Sequence, residues 1–369
     1  MSLSFTSETT ASAGPSFGLA GLARRAEAVV LPLGALMAGF AVFSLFLLLQ
    51  GKSPADFFVL VYRAGFGTAF SWENTLSRAA PLLLAALCVA LPARLGLVVI
   101  GGEGAIVLGG VAAGFAGAML FGAPSIIALP VMLLCAMLIG GLWIGAVGAL
   151  RHYRGVNETI ASLLMAYISI ALMNHLVEGP LRDPASLNKP STAPLEDALR
   201  VGNIPGWDVH WGLAFGIIAC VLAWVLIDKT TWGFAARIAG GNVRAAQVQG
   251  LPVGKLILGF TALGGAFGGM AGFFEVTAVH GSANASLAGG YGYTGILIAF
   301  LARHNPLAII PVTILLAGFE ASSGLVQRRM DLPDATVLVL QGFVFIAILM
   351  SETLYGRFKV FAPERWRST

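Results

Sequence analysis

The stretch DKTTWGFAARIAGGNVRAAQVQGLPVGK (residues 228–255) separates two long apolar runs, residues 211–227 and 256–279. Apolar runs of roughly 17–25 residues predict membrane-spanning helices, so the stretch connects two spans on one side of a bilayer. It contains four cations and one acid: Lys229, Arg237, Arg244, Lys255 and Asp228. Because cytoplasmic connections carry an excess of lysine and arginine, we place it in the cytoplasm. It is either an ordinary basic loop or a surface that another protein binds.

The same stretch carries start and stop signals for a short helix. Asn242 is a preferred N-cap residue, and Gly250 followed by Pro252 is typical of a helix end. Residues 243–249 lie between these signals and allow about two turns. We therefore predict a capped helix between the two spans.

The composition predicts a polytopic membrane protein. Of 369 residues, 57% are hydrophobic and only 11% are charged, and the mean hydropathy is +0.84. A water-soluble globule of this size does not need so apolar a sequence for its core. The formal net charge of +4 is small, and the cations cluster in loops beside apolar runs. This pattern argues for orientation in a lipid bilayer and against nucleic-acid binding.

The reactive residue types form no recognisable catalytic, cofactor or metal motif. The cysteines lie within apolar runs without CxxC spacing, at Cys88, Cys135 and Cys220, so we expect packing residues rather than disulfides. No two histidines stand at i, i+4, which argues against a metal site. The motifs GxSxG and HExxH do not occur either. We expect no catalytic residues, no bound cofactor and no metal.

Composition along the chain suggests three regions. Residues 1–27 should form a disordered cytoplasmic tail, residues 28–352 a transmembrane domain, and residues 353–369 a basic cytoplasmic tail. Within the domain, residues 228–255 are the cytoplasmic loop described above. Residues 178–210 contain five prolines and should form a folded external loop.

The predicted fold class is an all-α, polytopic transmembrane bundle of about ten membrane segments, with both termini in the cytoplasm. Some segments should be broken or re-entrant, because residues 292–302 are too short to cross alone. The glycine-dense residues 96–117 include Glu103, and a carboxylate is costly in lipid, which predicts a helix break that faces a cavity. A second zone predicts close helix packing through glycines at four-residue spacing: Gly264, Gly268 and Gly272.

Three more acids lie at possible membrane depth: Glu158, Glu275 and Glu320. An intramembrane carboxylate is by default a functional-site hypothesis. The competing interpretation is a structural hydrogen bond to a neighbouring helix end, which we favour for Glu320 beside Ser322. For Glu103, Glu158 and Glu275 both interpretations stay open.

A nucleotide-binding P-loop, GxxxxGK[ST], does not occur in the sequence. The nearest match ends in Gly254 and Lys255, but Gln249 stands where the first glycine is required and Leu256 where Ser or Thr should follow. The chain therefore lacks the residues that cradle phosphates in this motif. We expect that it is not an enzyme and that, if ATP drives it, a separate subunit hydrolyses the ATP.

Five stretches together resemble the permease subunits of bacterial ABC importers for nucleosides and simple sugars, which are related to the ribose and branched-chain amino acid permeases. They are IGGEGA (residues 100–105), RGVNETIASLLMAYI (154–168), TTWGFAARIAGGNVRAAQVQGLPV (230–253), AGFFEVTAVHG (271–281) and GYGYTGILIAFLARHNP (290–306). With their spacing they cover most of residues 78–352. The first family motif usually reads NIGxEGQ, whereas Val99 and Ala105 replace its Asn and Gln here, which leaves the substrate's identity open.

The resemblance implies a multi-pass protein of the bacterial inner (plasma) membrane and several partners. These are a cytoplasmic ABC ATPase subunit, an extracytoplasmic solute-binding protein, an identical or similar second permease, the lipid bilayer and a small-molecule substrate. It assigns contact with the ATPase to a coupling helix and its neighbours: Arg237, Asn242, Arg244, Ala245, Ala246 and Gly250. It assigns the substrate pathway to Glu103, Asn157, Glu158, Glu275, Tyr291 and Tyr293.

The sequence thus predicts an ABC importer permease that moves nucleosides, or related small polar solutes such as simple sugars, inward by alternating access. One alternative is a self-sufficient secondary transporter of a small polar solute. Such a transporter would show paired ion-coordinating acids at matching broken helices of two inverted halves, and we find no clear internal repeat. An intramembrane enzyme would need a nucleophile with a base and an orienting group, which the sequence does not display.

Overall fold

The computed structural model describes residues 19–186 and 189–354, and most of these residues are helical. The α-helices are α1 (Leu19–Leu49), α2 (Pro54–Phe66), α3 (Ala69–Ala93), α4 (Gly102–Met119), α5 (Ser125–Arg154), α6 (Glu158–Glu178), α7 (Gly212–Lys229), α8 (Thr231–Gly241), α9 (Val243–Val248), α10 (Val253–Phe274), α11 (Tyr291–Leu301), α12 (Pro306–Met330) and α13 (Thr336–Leu354). Within the described ranges, extended backbone pairs only through isolated bridges, such as that between Ser191 and Asn284. The predicted all-α class is confirmed.

Many of these helices are suited to a bilayer. Among the described residues, seven helices are long and apolar enough to cross a membrane, or eight if the bent pair Leu33–Leu49 and Pro54–Phe66 is one span. Two shorter apolar helices, Ala285–Leu301 and Thr336–Ser351, accompany them. The chain is therefore a multi-pass helical protein, while the total of about ten segments and the side of each terminus remain predictions.

The tails expected at residues 1–27 and 353–369 fall largely outside the described residues. The helix α1 already begins at Leu19, inside the range expected to be a tail, and α13 ends at Leu354. The rest of both tails stays a prediction.

The described residues divide into two compact units, residues 47–341 and residues 19–46 with 342–354. In the smaller unit, Gly39 of α1 lies against α13, where a Cβ at position 39 would approach Val344 Cα to 2.8 Å. The rings of Phe46 and Phe343 pack with their centroids 6.0 Å apart. The larger unit contains all the candidate site residues.

Helices α3, α4 and α10 form the core of the larger unit. In each of these helices, 78% of the most apolar 18-residue segment is buried inside the protein, whereas in α5 the buried share is 28%. The outward face of α5 carries large aliphatic residues, including Leu138 and Leu142, which are both 61% exposed. Such a face suits contact with lipid, so α5 lies at the periphery.

The glycines of α10 allow close helix packing, as predicted. A Cβ at Gly264 would lie 2.8 Å from the Cys88 carbonyl oxygen of α3, and a Cβ at Gly268 would lie 2.8 Å from Ala105 of α4. A Cβ at Gly272 would overlap the backbone of α4. Without side chains at these positions, backbones approach closely and gain van der Waals contact.

The predicted breaks are also present. Helix α3 ends at Ala93 and α4 begins only at Gly102, so Glu103 stands just after a non-helical segment. Helix α11 has 11 residues, which is about 16 Å of helix and roughly half of a 30 Å hydrocarbon core. The N-terminus of α11 therefore lies in the interior of the larger unit and not at one of its ends.

One end of the larger unit is basic. There, Arg94 Nη2 donates to the His304 carbonyl oxygen at 2.8 Å, and the His152 ring lies against Gly254. These contacts join the C-terminus of α3 to that of α11, and the C-terminus of α5 to the N-terminus of α10. The cations of this basic end are Arg94, Arg151, Arg154, Lys229, Arg237, Arg244, Lys255 and Arg303.

Candidate functional site

The first candidate residue, Glu103, lies in the first turn of α4 and is 1% exposed. Its carboxylate accepts the backbone N–H of Gly290 at 2.7 Å and that of Gly292 at 2.6 Å. These N–H groups belong to the start of α11, where a helix offers no internal acceptor. The carboxylate also faces the positive end of the helix dipole. Glu103 therefore caps α11.

The short distance between α4 and α11 depends on glycine. A Cβ at Gly292 would lie 2.6 Å from Glu103 Cα, so no side chain fits without movement. Gly290 has a φ of +85°, a left-handed conformation that glycine adopts at little cost. The sequence GYGY at residues 290–293 thus supplies two N–H groups that lack an acceptor within the helix, and both donate to one carboxylate.

A second polar contact holds the next turn of α11. The Thr294 hydroxyl lies 3.0 Å from Glu320 Oε1 and 3.3 Å from Gln341 Oε1. A hydroxyl has one proton and can donate it to only one acceptor. Gln341 Nε2 is buried and has no hydrogen-bond partner among the described residues. If the amide is turned over, Gln341 donates to Thr294 and Thr294 donates to Glu320. This arrangement supports the structural role favoured for Glu320.

Tyr291 and Tyr293 flank the cap on α11. Tyr291 is partly buried, whereas Tyr293 is 40% exposed. Tyr167 of α6 lies near Tyr293 and is 60% exposed. The structure therefore brings three sequence-predicted residues, Glu103, Tyr291 and Tyr293, to one place. Tyr167 was not among the predicted site residues, because its motif gave no reason to choose it over its neighbours.

Glu275 lies at the far end of α10, close enough to Tyr291 and Glu103 to interact with them electrostatically. It begins the π-helical segment Glu275–His280 and is 1% exposed. Its Oε2 atom is 3.4 Å from His280 Nε2, and neither atom has a hydrogen-bond partner within the described residues. Single π-helical turns are frequent at functional sites.

The loop expected to be external is bonded to this π-helical segment. The Val201 N–H donates to the Thr277 carbonyl oxygen at 3.1 Å, and the Leu195 N–H donates to that of Gly281 at 2.8 Å. Backbone of residues 191–201 thus follows the end of α10. A movement of the loop would therefore act on the π-helical segment that begins at Glu275.

Asn157 and Glu158 lie at the basic end, at the start of α6. The Asn157 side chain accepts the N–H of Thr159 at 2.9 Å and so caps the helix. Glu158 Oε2 is 3.3 Å from Arg151 Nε of α5. The two residues therefore fix the connection between α5 and α6, apart from the contact between α4 and α11.

The stretch quoted first contains two helices, α8 and α9, of which only α9 was predicted. Asn242 Oδ1 accepts the Ala245 N–H at 3.0 Å, and Gly250 has a φ of +77°. The predicted caps of α9 are confirmed. Helix α8 was missed, although Thr230 caps it by accepting the Gly233 N–H at 3.2 Å.

Helix α9 presents a largely exposed surface. Arg244, Ala245 and Gly250 are exposed, whereas Ala246 is fully buried. Val248, which was not among the predicted site residues, is 89% exposed. Arginine is enriched at protein-binding surfaces, so the exposed Arg244 makes α9 a candidate for such a surface.

Arg237 braces α8 against α7. Its Nη1 atom is 3.6 Å from Asp228 Oδ1, and its Nη2 donates to the Ile227 carbonyl oxygen at 3.4 Å. The side chain is still 48% exposed. Arg237 thus differs from Arg244, for which the described residues provide no such ion pair or hydrogen bond.

Beside this brace, His304 follows α11 in a short connection. Burial, together with the nearby Arg94 guanidinium, lowers the pKa of His304 to about 4. Burial lowers the pKa of Arg94 as well, an effect that the carboxylate of Asp228 opposes. At neutral pH the basic end therefore holds a neutral imidazole next to a charged guanidinium.

A family model described as the permease component of the branched-chain amino acid transport system matches residues 71–349. The chain belongs to this family. The matched range runs from α3 into α13 and includes every candidate site residue. The resemblance inferred from the five motifs is confirmed at family level.

Individual relatives agree with this family. The glucose ABC transporter permease protein TsgB13 of Haloferax volcanii is 32% identical over 89% of this chain and 89% of its own length. The guanosine ABC transporter permease protein NupP of Bacillus subtilis is 29% identical over 90% and 96%. The probable riboflavin import permease protein RfuC of Treponema pallidum is 25% identical over 85% and 83%.

These permeases are transport subunits and not enzymes themselves, and permeases of this kind work with ATPase and substrate-binding partners. The chain is accordingly an ABC transporter permease, a multi-pass protein of the inner membrane.

Proposed function

We propose that this permease belongs to an ATP-driven importer that moves a nucleoside or a related small polar solute, such as a simple sugar, inward by alternating access. The observation that carries the proposal is α9, a capped and exposed helix at the basic end between α7 and α10. The chain has no P-loop motif, so ATP hydrolysis occurs in a separate ABC ATPase subunit that binds this helix.

The relatives support the substrate class. TsgB13, NupP and RfuC are named for glucose, guanosine and riboflavin, and all three solutes carry several hydroxyl groups. Tyr293 and Tyr167 offer partly exposed rings and hydroxyls, which suit apolar stacking combined with hydrogen bonding. A polyhydroxylated solute without a strong charge fits this lining.

We assign contact with the ATPase to the predicted coupling residues and to Val248. The predicted residues are Arg237, Asn242, Arg244, Ala245, Ala246 and Gly250. Arg244 and Val248 contact the ATPase directly, because both are exposed on α9. Asn242 and Gly250 shape the ends of the helix, the buried Ala246 seats it, and Arg237 holds the preceding helix in place.

Helix α10 links this surface to the other side. Together with the π-helical segment it forms one element of 28 residues, Val253–His280. It begins just after α9 and ends at His280, and its π-helical segment is hydrogen-bonded to the loop at residues 178–210. ATP-dependent movement of α9 shifts the equilibrium between the inward and outward states through this element.

Along the pathway we assign different roles to the predicted residues. Tyr291 and Tyr293 line it, and Glu103 positions α11 by holding its N-terminus. Asn157 and Glu158 belong to the inner side and Glu275 to the outer side. A solute-binding protein docks on the loop at residues 178–210, and an identical or similar second permease completes the pathway.

The proposal is tested by affinity purification of the tagged full chain from its own membrane, followed by mass spectrometry and an ATPase assay. We expect an ABC ATPase in the purified wild-type complex and its loss with Arg244→Glu. The control is Arg182→Glu, an exposed charge reversal in the loop at residues 178–210. Uptake of labelled guanosine or glucose that continues without any associated ATPase would instead favour a secondary transporter.

A further inference from the structure

A groove of about 640 Å³ lies between α5 and α10. Its floor consists of small residues from both helices: Gly141, Gly145, Ala149, Ala262 and Ala266. Leucine side chains form its walls, among them Leu138 and Leu142. Helix α5 is peripheral, because only 28% of its most apolar 18-residue segment is buried. The groove therefore faces the surroundings of the bundle.

The length of the groove distinguishes between possible occupants. On α5 it extends from Met137 to Ala149, which is about 18 Å at 1.5 Å per residue. Half of a hydrocarbon core is about 15 Å, and a membrane-spanning partner helix needs about 30 Å. The groove therefore matches the depth of one leaflet, as an acyl chain requires.

One end of the groove is basic. The His152 ring lies against Gly254, so the last turn of α5 adjoins the first turn of α10. Helices α5 and α10 contain no acidic residue, and their charged residues all lie here, at Arg151, Arg154 and Lys255. Arg151 is paired with Glu158, whereas Arg154 and Lys255 are exposed.

We propose that this groove binds an anionic glycerophospholipid of the cytoplasmic leaflet. One acyl chain lies along the floor formed by Gly141, Gly145 and Ala262, where it replaces contact with mobile lipid by contact with fixed apolar walls. The phosphate group lies between Arg154 and Lys255, since basic pockets between membrane helices on the cytoplasmic side recognise anionic headgroups. The site is separate from the pathway residues on α11.

The experiment is native mass spectrometry of the detergent-solubilised full chain after addition of phosphatidylglycerol or phosphatidylcholine. We expect about one retained phosphatidylglycerol per chain and at least fivefold less phosphatidylcholine. Gly145→Leu should reduce retention at least fivefold by filling the groove, because a Cβ there meets Ala262 at an ordinary 3.4 Å. Gly259→Leu is the matched control, since a Cβ there has no atom within 4 Å in the part of the chain that the structure describes.

The double substitution Arg154→Gln with Lys255→Gln tests the headgroup and keeps the proposal falsifiable if Gly145→Leu does not fold. It should remove the preference for phosphatidylglycerol, while Lys229→Gln, at the same end but on α7, should keep it. Equal retention of the two lipids by the wild type, or unchanged retention in the double variant, would overturn the proposal. So would a cysteine at Leu142 that crosslinks to a second permease in the membrane.

Discussion

The carboxylate of Glu103 accepts the backbone N–H of Gly292 at 2.6 Å and so joins the first turn of α4 to the first turn of α11. Gly290 is the second donor, so the carboxylate accepts both N–H groups that lack an acceptor within this short helix. The neighbouring tyrosines owe their positions to this cap. An intramembrane acid that the sequence suggested for the substrate pathway therefore has a clear positioning role.

Substitution of Glu103 by alanine should destabilise the protein and impair uptake together. Each N–H left without a partner costs about 1–3 kcal/mol, and α11 loses its fixed start. Glu103→Gln keeps an oxygen acceptor for one N–H and should be intermediate. Thermal unfolding in detergent and solute uptake are the measurements, with Asp334→Asn, an exposed acid between α12 and α13, as the control.

A different result would change the role of Glu103. If Glu103→Ala kept the wild-type unfolding temperature but abolished uptake, the carboxylate would contact the solute instead of positioning α11.

Gly292→Ala should have a similar effect by a different route. The new Cβ would meet the backbone of Glu103, and overpacking of this kind costs about 1–3 kcal/mol. We expect a lower unfolding temperature and slower uptake. Gly259→Ala on α10, where a Cβ has no described atom within 4 Å, should leave both unchanged. Equal behaviour of the two variants would argue against a close contact between α4 and α11.

Asn242→Ala should weaken the association with the ATPase without unfolding the membrane domain. The loss of an N-cap costs about 1 kcal/mol, which is large for a six-residue helix. Asn242→Ser retains a capping oxygen and should restore association, measured as the amount of ATPase that co-purifies. Failure of both variants would mean that the ATPase contacts the asparagine side chain itself.

The stability of the basic end should depend on pH through His304. Its pKa is lowered from 6.5 to about 4 in the folded protein, so the unfolded state takes up a proton first. The contribution of His304 is therefore complete above about pH 6.5 and is lost as the pH falls towards 4, by up to about 1.4 kcal/mol per pH unit.

His304→Asn should accordingly show a smaller drop in unfolding temperature between pH 7 and pH 4.5 than the wild type. Identical pH profiles for the wild type and His304→Asn would show that the imidazole is not held neutral.

Local signals explain why α9 was predictable from the sequence. Asn242 and Gly250 each act within a few residues, and their caps appear in the structure as expected. The close packing of Gly264 was predictable for the same reason, because the spacing along one helix determines which face is small.

Contacts between distant residues could not be predicted in this way. Glu103 and Gly290 are 187 positions apart, and only the bundle brings them together. Thr294 and Gln341 are single polar residues in apolar runs, and nothing near them in the sequence indicates their partner. The sequence predicted that the Glu103 carboxylate is costly in lipid. It could not show whether this carboxylate contacts solute or the backbone of α11, because that depends on where α11 packs.

The central claim is that this permease is driven by an ATPase bound at α9. The most direct measurement is solute-stimulated ATP hydrolysis by the complex purified on the tagged chain and reconstituted in liposomes, with Arg244→Glu beside the wild type. We predict that the wild type imports labelled guanosine or glucose only with ATP, and that Arg244→Glu inserts normally but loses both the ATPase and import. Import by the purified chain alone, driven by an ion gradient without ATP, would contradict the claim.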